Sequence, residues 1–400
     1  MSTAAVAPSY RKLFAEPVLR RLAVADALAR LPQGMVTITV LLVTAQHASM
    51  TAAGLAVAGY TLGQAVTGPA RGRLADRHGL VPVAVACGVA YAATLLALLA
   101  GALAAAPAGL LAAAAAAAGL VNPPLSPGLR SLWSAHAGPG LARTAFALDA
   151  AVMNLGYITG PVLASALATG VAPAAAVGLL LALTAAATVI IARQPSRSPS
   201  QPGQEPGSRR PTILRSGQLR RLLLTAALAN AALGATEIAL TGYVRHHHAL
   251  WAAGPLLAEV SAGSILGSLL LGHRMSPGRR SLAILLAGYA AGLGLLTAAG
   301  LDAPLLAAAA PLAGFCLGPA LAGLFGQAAD AAPPGSGTET QSWLNSIMNG
   351  GAAGGAALAG LASGQPIAAL GLSFALAAVA AACPATGVSR PPRRPAPRPE

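Results

Sequence analysis

Gly72-Arg73-Leu74-Ala75-Asp76-Arg77-His78-Gly79 is a short charged stretch set between two long runs, Leu31–Ala70 and Leu80–Leu129, that contain no Asp, Glu, Lys or Arg. Each run holds two segments of about 20 residues, the length an α-helix needs to cross the hydrocarbon of a bilayer. The stretch between them therefore reads as a loop at a membrane face. Glycine at both ends permits tight turns and close helix approach. Asp76 is the acidic exception among basic neighbours and can make charge-assisted contacts with another part of the chain.

Composition agrees with that reading. Of 400 residues, 9% are charged and 55% are hydrophobic, with a mean hydropathy of +0.66. Soluble domains carry about 25% charge, so a water-facing surface cannot be built here. Disorder is excluded because disordered chains are poor in apolar residues. An all-α integral membrane protein remains. Three cysteines, Cys87, Cys316 and Cys383, lie in apolar stretches without metal-ligand spacing and read as inert buried thiols. No metal site is expected.

Outward from the loop, Leu31–Ala70 turns near Gln46–Ser49, Leu80–Leu129 breaks at Pro107-Ala108-Gly109, and Ala150–Ala192 turns near Gly170–Pro173. Later come Leu222–Tyr243, Leu250–Leu271, Ser281–Leu301, Ala303–Ala329 and the pair Thr340–Ser389, turning at Ser363–Pro366. With Arg20–Thr44 as the first span, twelve are expected. Asp26 and Arg30 interrupt that span, and many spans follow, so it is not read as a cleaved signal peptide. If the N-terminus is cytoplasmic, all of the 25 Lys and Arg except Arg30 and Arg245 fall on the cytoplasmic side. The positive-inside rule asks for such a bias. The net charge of +14 is thus topology rather than nucleic-acid affinity, and both termini are expected in the cytoplasm of a multi-pass plasma-membrane protein.

The Pro-, Ser-, Gly- and Arg-rich segment 194–218 cannot form a packed helix and divides the chain near its midpoint. Residues 1–193 and 219–386 are then two halves of six spans each, with a basic tail over 387–400. Ala151–Ala164 (AVMNLGYITGPVLA) and Ser346–Ala359 (SIMNGGAAGGAALA) share Met153/Met348, Asn154/Asn349, Gly156/Gly351 and Gly160/Gly355 in register. Paired six-helix repeats, with a substrate site between them at mid-membrane, form a transporter architecture.

The 72–79 loop resembles the signature G-x-L-A-D-R-x-G of the major facilitator superfamily, at its usual place between spans 2 and 3. The resemblance implies that Gly72, Asp76, Arg77 and Gly79 hold the halves together on the cytoplasmic face. It also implies a monomeric secondary transporter that moves a small molecule by alternating access, without a cofactor. The family continues with basic residues, whereas Leu80-Val81-Pro82 follow here, and the equivalent loop at 272–280 lacks the acidic residue. In span 5, Gly156-Tyr157-Ile158-Thr159-Gly160-Pro161 looks like the antiporter motif of exporters in that superfamily, with Ala164-Ser165 in place of its final glycines. It implies export, although glycines four apart also serve plain helix packing.

Charges within spans are the candidate coupling and substrate residues, because each is costly in lipid. Asp26 and Arg30 are an i,i+4 pair, and Leu31-Pro32-Gln33-Gly34 just beyond is expected to unwind the helix. Asp149 in span 5 suits proton coupling; in sequence its nearby opposite charge is Arg143, and Arg30 is a second possible partner. Glu237 and Glu259 are the candidates of the later half. Gln64, Asn154, Asn345 and Asn349 either line a cavity or hydrogen-bond helices together. His246-His247-His248 makes a poor metal site, since adjacent residues on a helix point apart. Neither a phosphate-binding GxxxxGK[ST] nor H-E-x-x-H occurs, so ATP-driven transport and metalloprotease-like catalysis are not expected. A nutrient importer and a non-transporting sensor or scaffold of the same fold are the alternatives to proton-coupled export.

The topology has a direct check. In a background with the three native cysteines replaced, Asp302→Cys should react with an impermeant maleimide added outside whole cells. Labelling only from the cytoplasm would invert the assignment.

Overall fold

A computed structural model describes residues 7–46, 48–193, 213–246, 253–272, 279–300, 302–362 and 365–385. Among these every element is helical. A short α1 (Ala7–Ala15) leads into α2 (Pro17–Ala45), α3 (Met50–His78), α4 (Leu80–Leu103), α5 (Ala108–Leu120), α6 (Leu125–His136), α7 (Gly138–Gly170) and α8 (Pro173–Ala192). After a 3₁₀ turn at Ile213–Arg215 come α9 (Gly217–His246), α10 (Ala253–Leu271), α11 (Arg279–Ala299), α12 (Ala303–Phe315), α13 (Leu317–Ala331), α14 (Gly337–Leu361) and α15 (Pro366–Ala385).

Among the described residues, 9 stretches are long and apolar enough to cross a membrane. Two are composite: Ala108–His136 joins α5 to α6, and Pro304–Ala331 joins α12 to α13. Proline explains both breaks, because it has no N–H to return to the preceding turn. Pro123 and Pro124 interrupt the first, and Pro319 leaves the Phe315 carbonyl without its helical donor in the second. The long helices α3 and α14 are absent from that apolar set. Both carry polar residues along the face on which they pack against each other.

Packing within each group of helices relies on missing side chains. In the group before the 194–212 stretch, α2 lies on α7 and α3 on α5; in the group after it, α9 lies on α14 and α10 on α12. A Cβ at Gly34 would run into the Gly156 carbonyl of α7, and one at Gly355 into the Ala231 carbonyl of α9. Backbones therefore touch, which is how helices gain van der Waals contact in lipid, where the hydrophobic effect does not drive them together. Large apolar side chains point outward instead: Leu361 is 88% exposed and Val66 and Val171 are 73% exposed.

Four expectations change. The Leu31–Gly34 segment does not unwind, and α2 runs unbroken through Pro32. Proline removes a single hydrogen bond there, while Gly34 is seated against Gly156 and Gly160 on α7 and holds the helix in place. Arg130, one of the basic residues expected in a cytoplasmic loop, lies within α6 and is fully buried. Residues 217 and 218 belong to α9 rather than to the linker. The cysteines are free but only partly buried. Linker residues 194–212, loop residues 273–278, His247, His248 and the tail from 386 onward lie outside the described residues.

Replacement of Gly355 by Val should lower the melting temperature of the detergent-solubilised protein, since forced overpacking costs about 1–3 kcal/mol. Gly354→Ala on the same helix, where an added Cβ meets nothing within 4 Å, should leave it unchanged or raised.

Candidate functional site

The two groups of helices meet around residues 72–79, which are not a loop: Gly72–His78 form the last turns of α3, and Gly79 alone joins it to α4. Asp76, in the last turn of α3, accepts hydrogen bonds from the Thr338 amide (3.0 Å) and the Glu339 amide (2.8 Å). These are N–H groups in the first turn of α14, which have no partner within their own helix and carry its positive dipole end. Glu339 reaches back, and its Oε1 accepts from Arg73 Nε at 3.0 Å and Nη2 at 2.6 Å. A Cβ at Gly72 would lie 2.8 Å from the Thr338 carbonyl, so that glycine sets the closeness of α3 to α14. Gly79 turns the chain from α3 into α4 with φ of 92°, a conformation that side chains disfavour. Burial raises the Asp76 carboxyl above the ordinary carboxylate range, and the two α14 amides act against that rise. Arg77 takes no part in these bonds; Arg73 and Glu339 do. The signal that could have found them is an acid in the first turn of a helix, where it favours the dipole. The same face is closed further by Ser131 against Gly337, Phe146 against Gly326 and Ala147 against Gly272.

Behind this contact lies a small, partly open polar cavity, lined by Gln33, Gln64 and Arg71 from one group and by Asn345, Ser346 and Asn349 from the other. Three of the polar candidates, Gln64, Asn345 and Asn349, thus share one wall-to-wall space. Asn154 does not; its side chain donates to the Ala150 carbonyl of its own helix at 2.8 Å. Arg71 is only 9% exposed, and its Nη2 donates to the Gln64 carbonyl at 3.0 Å. An adjoining space within the first group shares Gln33 and Asn122 and reaches the Tyr60 and Tyr91 hydroxyls.

Beside the cavity is a buried cluster of two arginines and two aspartates. Asp149 accepts from Arg30 Nη2 on one oxygen and from Arg130 Nε at 2.9 Å on the other. Arg30 also donates to Asp26 at 3.2 Å and to Gln33 Oε1 at 3.1 Å. All four charges are at most 2% exposed, and they balance. Asp26 keeps one oxygen, Oδ2, without a hydrogen-bond partner. The Arg130 guanidinium lies 3.4 Å from the ring centroid of Phe325 on α13, a cation–π contact to the other group. The sequence placed Asp26, Arg30 and Asp149 as candidates; it missed Arg130, whose position near a basic loop disguised a buried partner. Glu237, exposed on α9, and Glu259, partly buried on α10 with Oε2 unpartnered, do not join the cluster.

The sequence profile described as the Major Facilitator Superfamily matches residues 22–356. The chain belongs to that family. It is therefore a multi-pass membrane transporter rather than an enzyme. Solved structures of other facilitators share the fold. A bacterial homologue of the iron transporter ferroportin, in an outward-facing state with soaked iron, superposes with a TM-score of 0.72 at 14% identity, covering 92% of this chain and 98% of that one. The human organic anion transporter MFSD10 gives 0.70 at 18%, covering 92% and 99%. The E. coli fucose:proton symporter FucP gives 0.69 at 13%, covering 90% and 98%. No curated protein matches the chain in sequence.

In this facilitator the charge cluster makes a specific energetic demand. Asp149→Asn leaves two buried guanidiniums against one carboxylate, and breaking a buried pair costs about 3–5 kcal/mol. Arg130→Met should be similarly harmful alone. The double variant restores balance around Asp26 and Arg30, so its melting temperature should lie above that of either single variant. Additive losses would show that the two residues act independently.

Proposed function

We propose that the chain is a proton-coupled secondary transporter of a small molecule, working by alternating access. The 9 apolar stretches together with α3, α10 and α14 make up twelve spans, and α1–α8 and α9–α15 are the two halves. Equivalent helix pairs with the same glycine contacts, α2 on α7 and α9 on α14, support the repeat. The observation that carries the reading is the polar cavity between the halves, shut off by the Asp76–α14 contact. The inter-half contacts of Gly72, Arg73, Asp76, Ser131 and Ala147 lie at the loop end. With that end in the cytoplasm, and with both termini there as well, this is the outward-facing arrangement in the plasma membrane.

Proton coupling is assigned to Asp26. Asp149 is held by two guanidiniums and serves to organise the cluster, whereas Asp26 has one partner and one free oxygen. A proton on Asp26 removes its charge and loosens its hold on Arg30 Nε, while Nη2 stays on Asp149 and Nη1 holds Gln33 in the cavity wall. Binding in the cavity and protonation below it thereby act on one guanidinium. Stacking of Arg130 on Phe325 ties the same cluster to the opposite half. Export is inferred from the exporter-like motif Gly156–Pro161, whose glycines seat α7 on α2.

Reconstitution in liposomes with a trapped pH dye tests this. Compound-dependent proton flux should be lost in Asp26→Asn, and Asp76→Ala should slow transport by about tenfold, the effect of losing one or two charge-assisted bonds. Substrate movement without proton movement, or coupled flux that survives Asp26→Asn, would overturn the assignment.

A further inference from the structure

Arg71 carries a buried positive charge that the fold leaves unanswered. Of the ion pairs formed by the described residues, none includes it. Its guanidinium donates only to the Gln64 carbonyl, and Nε has no hydrogen-bond partner at all. The arginines of the neighbouring cluster are neutralised by Asp26 and Asp149 and offer nothing in exchange. A buried, unpaired charge is expensive to maintain, so a protein keeps one where an opposite charge arrives.

The surroundings say what kind of charge. The side chains that share the cavity with Arg71 include the amides of Gln33, Gln64, Asn122, Asn345 and Asn349 and the hydroxyl of Ser346. Among the described residues, no carboxylate, no second cation and no aromatic ring lines the space. A lone guanidinium balances a monoanion and leaves a dianion in excess. Amides and hydroxyls match a ligand that has further hydroxyl or amide groups. We infer that Arg71 is the anchor for the carboxylate of a small polar organic acid, a monocarboxylate bearing hydroxyl or amide groups, bound between α3 and α14. The inference rests on the transport reading for the cavity's being a substrate site.

Position gives the anchor a second consequence. Arg71 directly precedes Gly72, the residue at which α3 touches Thr338 and Glu339 of α14. A carboxylate bridged from Arg71 to the amides of Asn345 or Asn349 joins the same two helices just above the Asp76 contact.

Equilibrium binding to the purified protein in lipid nanodiscs tests the site apart from flux. The probes are gluconate, glycerate, lactate and N-acetylglycine, the corresponding neutral amides, and inorganic phosphate, read by Trp343 fluorescence on α14. At least one carboxylate should bind saturably, its amide about tenfold or more weakly, as expected for loss of a charged hydrogen bond. Arg71→Gln should erase the preference for acid over amide, and Arg71→Lys should retain part of it. The site is refuted if no carboxylate binds, or if binding is undiminished in Arg71→Gln. Phosphate bound as tightly as the best carboxylate would refute the monocarboxylate assignment. Should Arg71→Gln fail to fold, the discrimination between acid and amide in the unaltered protein and in Arg71→Lys decides. Carboxylate binding that persists where proton flux is absent would sink the coupling scheme and leave the anchor intact. Coupled flux of neutral or cationic compounds, unaffected at Arg71, would do the reverse.

Discussion

The described arrangement depends on one side chain meeting the start of one helix. Asp76 accepts from two main-chain amides of α14, and the Arg73–Glu339 pair and the glycine contacts of Gly72 gather around that point. The partner it captures is backbone, present whatever side chains stand at Thr338 and Glu339. Charge at a helix N-terminus adds typically 0.3–1 kcal/mol in exposed settings and more when partly buried. A contact of that modest size suits a gate, since alternating access requires the closed and open arrangements to lie within a few kcal/mol of each other.

Above the gate, a balanced cluster does what an isolated charge could not. Lipid makes every ionised group costly, and Asp26, Arg30, Arg130 and Asp149 answer that cost with mutual hydrogen bonds at 2% exposure or less. The cluster joins three helices of the first group, α2, α6 and α7, and touches α13 of the second through Phe325. Of its two unpartnered atoms, Arg130 Nη1 and Asp26 Oδ2, the second lies on the helix whose Gln33 faces the cavity. Cavity, cluster and gate are thus connected through shared residues on α2 and α3 rather than through a long relay.

Much of this was legible in the sequence, for physical reasons that vary by residue. Uncharged runs of fixed length announce helices in lipid, and the turns at Pro107–Gly109 and Gly170–Pro173 fall between helices as the chain's punctuation suggests. Asp76 stood out because acid in a basic loop asks for a partner, although the partner itself, a helix terminus 262 residues away, has no pattern to read. Proline misled at Pro32, where tertiary packing of Gly34 outweighed one lost hydrogen bond. Arginine misled twice. Arg71 and Arg130 border a loop and fit the positive-inside pattern, yet α3 and α6 carry them inward by a turn or two, and only the positions of Gln64 and Asp149 in space reveal it.

The glycine and alanine contacts within each group of helices have a consequence for how such a protein can change. Where backbone rests on backbone, as between Gly34 and Gly156 or Gly355 and Ala231, there is no side chain to repack and no slack to take up. Each bundle is then a stiff block, unable to reshape a binding space from within. In the transport scheme proposed above, diversity of cargo is left to the facing surfaces of α3 and α14, where a handful of amides and one guanidinium can be exchanged without disturbing either block.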